Sequence, residues 1–115
     1  MVTEFYVSRA RHYSQARGFQ RVPADFPVQV LTEELRVHDR AADLSESGIG
    51  VRTTRPLAPM SLVSLRMEPP YVDAPIEVLG RVMWAGERQM GIRFEQTEPR
   101  LMHVLTRLRQ DMARI

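Results

Sequence analysis

The chain has 115 residues, 43% of them hydrophobic, and its 16 basic and 14 acidic residues leave a formal net charge of +2. That is enough for one domain with a single core. No segment approaches the ~20 apolar residues of a membrane-spanning helix, and so small a charge offers no broad basic field to duplex DNA. The sequence has no cysteine, which excludes a disulfide framework, a thiolate metal site and a thiol nucleophile. The N-terminus has no continuous apolar core, so no secretory signal is expected and a cytoplasmic protein is. Every basic residue is arginine. A GC-rich coding bias is the plainest reason, but the consequence holds regardless: each cation can fork onto a phosphate or stack on a base.

Residues 1–21 read as an arm with Arg9, Arg11, Arg17 and Arg21 but one acid, Glu4, interrupted by Phe5, Tyr6, Tyr13 and Phe19. Such an arm is expected to be a partly ordered tail over residues 1–14. His12, His38 and His103 are scattered without metal-ligand spacing, and no metal site is expected.

From Val22 the pattern is β. Val28 to Leu31 reads as a first strand, and Leu35 to Leu44 as its antiparallel partner across the polar turn Thr32-Glu33-Glu34. Ile49 to Thr53 and Ser61 to Met67 follow, the latter stopped by Pro69-Pro70 because proline supplies no ladder N–H. Ile76, Val78, Gly80, Val82 and Trp84 alternate along one face of a long strand, which places Trp84 in the core. Met90, Ile92 and Phe94 line the last strand. Thr97 is the expected N-cap of a terminal helix, in which Leu101, Val104, Leu105, Leu108, Met112 and Ile115 share an arc of roughly 100° that packs on the barrel. The fold expected is mainly β: a small six-stranded antiparallel barrel over residues 22–97, preceded by the arm and followed by an α-helix over 98–115.

Two motifs stand out. Arg17-Gly18-Phe19-Gln20-Arg21 reads R-x-x-x-R, and Asp43-Leu44-Ser45-Glu46-Ser47-Gly48 reads D-x-S-x-x-G. Asp43 and Ser45 are two apart, so on an extended chain they point to one face, and Gly48 can take positive φ or let a ligand approach the backbone. Residue 32, midway between Arg21 and Asp43, lies in the polar turn, so a hairpin there returns Asp43 beside Arg21. The bland alternative for the hexapeptide is a plain turn of common turn formers. No catalytic constellation accompanies it: Ser45 has no histidine nearby, and no Walker lysine or helix follows Gly48-Ile49-Gly50. The chain is not expected to be an enzyme.

The two motifs, in this order and spacing, resemble the ligand signature of the PilZ domains, bacterial receptors for cyclic di-GMP. The resemblance continues through Gly80-Arg81-Val82-Met83-Trp84 and Met90-Gly91-Ile92-Arg93-Phe94 and covers about residues 17 to 97. It implies a ligand, cyclic di-GMP, and no other cofactor. Arg17 and Arg21 would grip phosphate or stack on guanine. Asp43 would accept from the guanine N1–H and N2–H₂ edge, Ser45 would add a polar contact, and Gly48 would keep the floor open. Arg9, Arg11, Ser47 and Trp84 are secondary candidates. Ala16, before the first arginine, favours one bound ligand over an intercalated pair. Arg17 and Arg21 sit at the base of an arm with few groups to bury, so the arm is expected to order when a ligand with two phosphates gives them a common partner, and the change to be read by an unidentified effector protein. The charge balance and the helix stripe lead to the expectation of no DNA or membrane partner and of a monomer in preference to a dimer. The alternatives are an interaction adaptor of the same fold that binds no nucleotide and a single-stranded nucleic-acid barrel, which would need more aromatic platforms than Tyr71, Trp84 and Phe94.

Overall fold

The structure, a computed structural model, describes residues 21–113. It contains β1 (Val22–Pro23), β2 (Pro27–Leu31), β3 (Arg36–Leu44), β4 (Gly48–Arg52), β5 (Leu62–Met67), β6 (Ile76–Ala85), β7 (Gln89–Phe94) and one helix, α1 (Pro99–Ala113). Six strands close into an antiparallel barrel in the order β3-β2-β5-β6-β7-β4, with β4 returning to β3. β1 lies outside that circuit, pairing Val22 with Leu44 and Pro23 with Asp43. It is two residues long and contains a proline, so it leaves no alternation to read in the sequence.

The β2–β3 hairpin turns where the polar stretch Thr32-Glu33-Glu34 places it. The Thr32 amide donates to the Leu35 carbonyl (2.9 Å), and the Thr32 hydroxyl accepts from the Leu35 amide (3.0 Å). Other wall strands show a two-residue period: Val28 and Val30 on β2, Val63, Leu65 and Met67 on β5, and Ile76, Val78 and Val82 on β6 all point inward and are buried. Each such side chain contributes roughly 1.5–3 kcal/mol over leaving it in water. Gly80 continues the inward row of β6 without a side chain, because a Cβ there would meet Ile92 Cγ2 at 2.5 Å.

α1 buries Leu101, Val104 and Leu105 against this core, with Leu108 half-buried. The apolar stripe is shorter than its sequence suggests, since Met112 is 49% exposed. Ile115 lies outside the described residues. The N-cap is Glu98 and not Thr97: proline takes the first helical position, which makes the residue before it the cap, and the Glu98 carbonyl accepts the Leu101 amide at 2.9 Å. The helix is also held from the side. Tyr71, in the β5–β6 loop, adopts a left-handed backbone (φ 74°), a costly state for so bulky a residue. In exchange its hydroxyl donates to the Asp111 carboxylate, and its ring lies 4.4 Å from the Arg107 guanidinium.

The inner face of β3 includes one polar residue. Asp39 follows Val37 and precedes Ala41 on the inner face of β3, and its Oδ2 is buried without a hydrogen-bond partner. Burial pushes its carboxyl above the ordinary value, a hydrogen bond with Thr53 only partly opposing this. An acid with a raised native pKa costs stability at neutral pH, and the cost fades as pH falls through that raised value. Asp39→Asn is therefore expected to raise Tm near neutral pH by about 2–4 °C, the scale of half a kcal/mol in a domain of this size after solvent screening. The gain should shrink on acidification. Thermal scans at several pH values check both features, and an unchanged or lowered Tm at neutral pH counts against them.

Candidate functional site

The last arginine of the first motif meets the acid of the second. Arg21 stands immediately before β1, and β1 pairs with the end of β3, so the hairpin that carries the chain from residue 27 to residue 44 brings Asp43 back beside it. Arg21 Nε donates to Asp43 Oδ1 at 2.8 Å, and a terminal guanidinium nitrogen lies 2.8 Å from the same oxygen. The Gly50 amide donates to Oδ1 as well, at 3.1 Å. Both side chains remain accessible, at 27% and 30% exposure, so this is a held pair on the surface and not a core bridge. Arg17, Arg9 and Arg11 lie outside the described residues, as does the rest of the arm through Gln20.

Asp43 faces outward because β3 carries a bulge. Ala41 pairs with Val51, and Asp43 with Gly50, so Ala42 is an extra residue. The inserted residue shifts the alternation, letting Ala41 and Leu44 both point into the core while Asp43 points out. A second bulge lies across the barrel wall. Val82 pairs with Ile92, and Trp84 with Gly91, leaving Met83 extra. Strict alternation from Val82 would put Trp84 in the core. The bulge turns it to the outer face instead, where it is half-buried over Gly91. The expectation of a core tryptophan is thus corrected, and the insertion that overturns it has no marker in a sequence of uniformly strand-forming residues.

The bulges create one lateral row, Asp43–Gly50–Gly91–Trp84, across β3, β4, β7 and β6. The two glycines are necessary. A Cβ on Gly50 would come 2.7 Å from Asp43 Oδ1, and one on Gly91 would collide with the Trp84 indole. The carboxylate and the indole therefore lie low over bare backbone, as the two ends of a shallow outer-wall shelf. Gly50 and Gly91 have no place in either sequence motif; only the cross-strand register shows their role.

The hexapeptide's remaining members form its turn. Ser45 is fully buried; its amide donates to the Gly48 carbonyl (2.9 Å), and its hydroxyl accepts from the Ser47 amide (3.2 Å) and lies 3.2 Å from the Ser47 hydroxyl. Gly48 keeps ordinary strand backbone. It is glycine because a Cβ would run into the Ile92 carbonyl of β7, so close packing, not positive φ, is what requires it. Glu46 reaches to the helix and accepts from both terminal nitrogens of Arg109, at 2.8 and 3.1 Å. The Arg109 hydrogen bonds hold the Glu46 carboxyl below the ordinary value, against opposing burial. Nothing in the sequence pairs residues 46 and 109.

Among the described residues no three His, Asp or Glu side chains gather as a metal would require, and no helix is long and apolar enough to cross a membrane.

The PilZ domain family model matches residues 15–110. The chain belongs to the PilZ domain family. No curated protein matches it in sequence. Solved structures show the same fold at low identity. The Bacillus subtilis inhibitor of motility MotI/DgrA aligns over 84% of this chain and 51% of its own, with 15% identity and a TM-score of 0.65. The PilZ domain of Escherichia coli YcgR, solved with c-di-GMP, aligns over 84% of this chain and 97% of its own, with 12% identity and a TM-score of 0.60. The CeSA PilZ domain from a cellulose-synthesising bacterium gives 77% and 93%, with 20% identity and a TM-score of 0.57. This PilZ chain thus spans about half the length of MotI and nearly all of the isolated domains.

The Glu46–Arg109 pair ties the signature turn of this PilZ domain to its helix and is open to direct test. In a double-mutant cycle of Glu46→Gln and Arg109→Met, denaturant unfolding at neutral pH is expected to give a coupling of about 0.5–1 kcal/mol, discounted for partial exposure. Because the Glu46 pKa is lowered, that stabilisation is complete above the ordinary glutamate range and lost as pH falls through the lowered value. A coupling of zero at neutral pH, or one that grows in acid, would contradict the pairing.

Proposed function

We propose that this PilZ domain is a receptor for cyclic di-GMP that passes the bound state to a partner protein. The observation that supports this reading best is the juxtaposition of Arg21 and Asp43 at the edge of a shelf bounded on its far side by Trp84. The chemistry suits each part of the ligand. Guanine presents N1–H and N2–H₂ as adjacent donors, for which a carboxylate supplies matched acceptors, and Asp43 is the exposed carboxylate of the shelf. A guanidinium offers charge and a planar fork to phosphate, and Asp43 already orients that of Arg21. Arg17, four residues earlier, would serve as the second grip. Arg9 and Arg11 are secondary candidates on the arm.

In this reading Ser45, Ser47 and Gly48 act mainly by shaping the turn that presents Asp43, with the serine hydroxyls as lesser contacts. Trp84 forms the shelf wall, its indole available for stacking against a base. In this reading the arm ahead of Arg21, from about residue 10, orders over the rim when ligand supplies the arginines with a common anionic partner, and the changed surface is what an effector reads. The domain works as a monomer in the cytoplasm and performs no catalysis.

Calorimetry tests the site. Arg21→Ala and Asp43→Ala are each expected to weaken cyclic di-GMP binding roughly ten- to a hundredfold, the loss of a charge-assisted bond worth ~1.5–3 kcal/mol. Both should fold with Tm within a few degrees of wild type, since the pair lies at the surface and is only partly buried. Trp84 is the only tryptophan, so its fluorescence reports the shelf directly. Ligand should change that emission, and Trp84→Phe should keep the fold. Wild-type affinity in both variants would overturn the site, and absence of binding by the native chain would leave the non-binding adaptor of the same fold.

A further inference from the structure

Arginines of the barrel and helix are mostly matched with acids. Arg21, Arg66, Arg81, Arg93, Arg100 and Arg109 all pair within 4 Å of a carboxylate. Arg36, Arg55 and Arg88 have no such acid among the described residues, and all three are exposed. The topology puts them together. Arg36 opens β3, Arg55 follows the end of β4, and Arg88 lies in the β6–β7 turn. In antiparallel strands those points share one end of the barrel, opposite the signature turn and helix. Thr53, two residues before Arg55, donates its amide to the Arg88 carbonyl at 3.0 Å, and Arg55 borders the same small cleft as Leu35 and Val37, beside Arg36.

Toward the signature pair the positive character continues. Arg40 and Arg52 stand directly opposite one another on β3 and β4, an arrangement that costs stability when the charges are alike. A single acid, Asp25, bridges them at 2.6 and 3.0 Å. Both guanidinium groups remain about half exposed, at 52% and 51%, and one carboxylate neutralises only one of the two charges. Glu33, Glu34 and Glu87 lie in the neighbouring turns but form no ion pair with these arginines.

From this distribution we infer that the barrel end formed by Arg36, Arg55 and Arg88, with the Arg40–Arg52 pair above it, is a docking surface for an acidic segment of a partner protein. The spacing favours a protein over the other polyanions. The cations are few and interspersed with turn glutamates, which would repel a continuous phosphate backbone or a charged bilayer but can be matched by individually placed carboxylates. Five guanidinium groups are also geometrically suited to bidentate carboxylate pairing. Its centre, Arg36, Arg55 and Arg88, lies at the barrel end away from the shelf, with Arg40 and Arg52 between the two, so the inference stands whether or not cyclic di-GMP binds.

The test uses the full chain and a fluorescein-labelled deca-glutamate peptide as probe, followed by anisotropy at low and at physiological salt. Arg36→Glu combined with Arg88→Glu is expected to weaken peptide binding at least roughly tenfold, while Arg36→Lys with Arg88→Lys keeps most of it. Where the reversed variant fails to fold, the neutral Arg36→Gln with Arg88→Gln serves in its place, with a smaller loss in the same direction. Cyclic di-GMP affinity should be unchanged in every variant that folds, which separates failure here from failure of the ligand site. Three results would overturn the inference: no peptide binding at low salt, binding indifferent to the substitutions, or equally sensitive and tighter binding of phosphatidylserine vesicles or oligodeoxythymidylate.

Discussion

Two inserted residues, Ala42 in β3 and Met83 in β6, set the geometry on which the whole outer wall depends. In a regular strand side chains alternate strictly, and a residue next to a core position is committed to the solvent side. A bulge breaks that commitment at one point and leaves the rest of the strand in register. Here it lets Ala41 and Leu44 both remain inside while Asp43 turns out to meet Arg21, and it lets Val82 remain inside while Trp84 turns out over Gly91. Without the insertions the acid would be driven into the barrel and the shelf would lose both ends.

The glycines follow from the same constraint. A carboxylate and an indole lying flat on a sheet need bare backbone beneath them, and Gly50 and Gly91 provide it at adjacent positions of two neighbouring strands. Gly48 answers a different need, the approach of the signature turn to β7. The turn itself is closed by hydrogen bonds within Ser45–Gly48 and pinned from outside by Arg109, so the element that presents Asp43 is anchored to both the barrel and the helix. Tyr71 holds the helix from the other side at the cost of a left-handed backbone. Any displacement of α1 would have to loosen one of these two polar attachments, and one of them is the signature turn.

Much of the fold was legible because it rests on local rules. A two-residue period survives in any sheet with one buried face, proline and glycine punctuate the strands, and a helical stripe announces a packed terminal helix. The meeting of Arg21 with Asp43 was legible too, because a hairpin's arms return symmetrically about its turn. The motif pair and its resemblance to PilZ domains pointed to the family that the match over residues 15–110 shows.

What the sequence by itself determined was therefore the barrel, its strands, its terminal helix and the identity of the acid–arginine pair. Tertiary structure alone decided which face each end of the shelf occupies, because a bulge is an event of pairing between strands and leaves no mark on the strand that contains it. It also decided that Glu46 binds Arg109 and that Tyr71 clasps Arg107 and Asp111, contacts between residues 63 and 36 to 40 positions apart. Such pairs are set by how the helix lies across the barrel end. No periodicity encodes that orientation, since burial of the apolar stripe constrains which face of the helix is covered but not which polar groups meet along its rim.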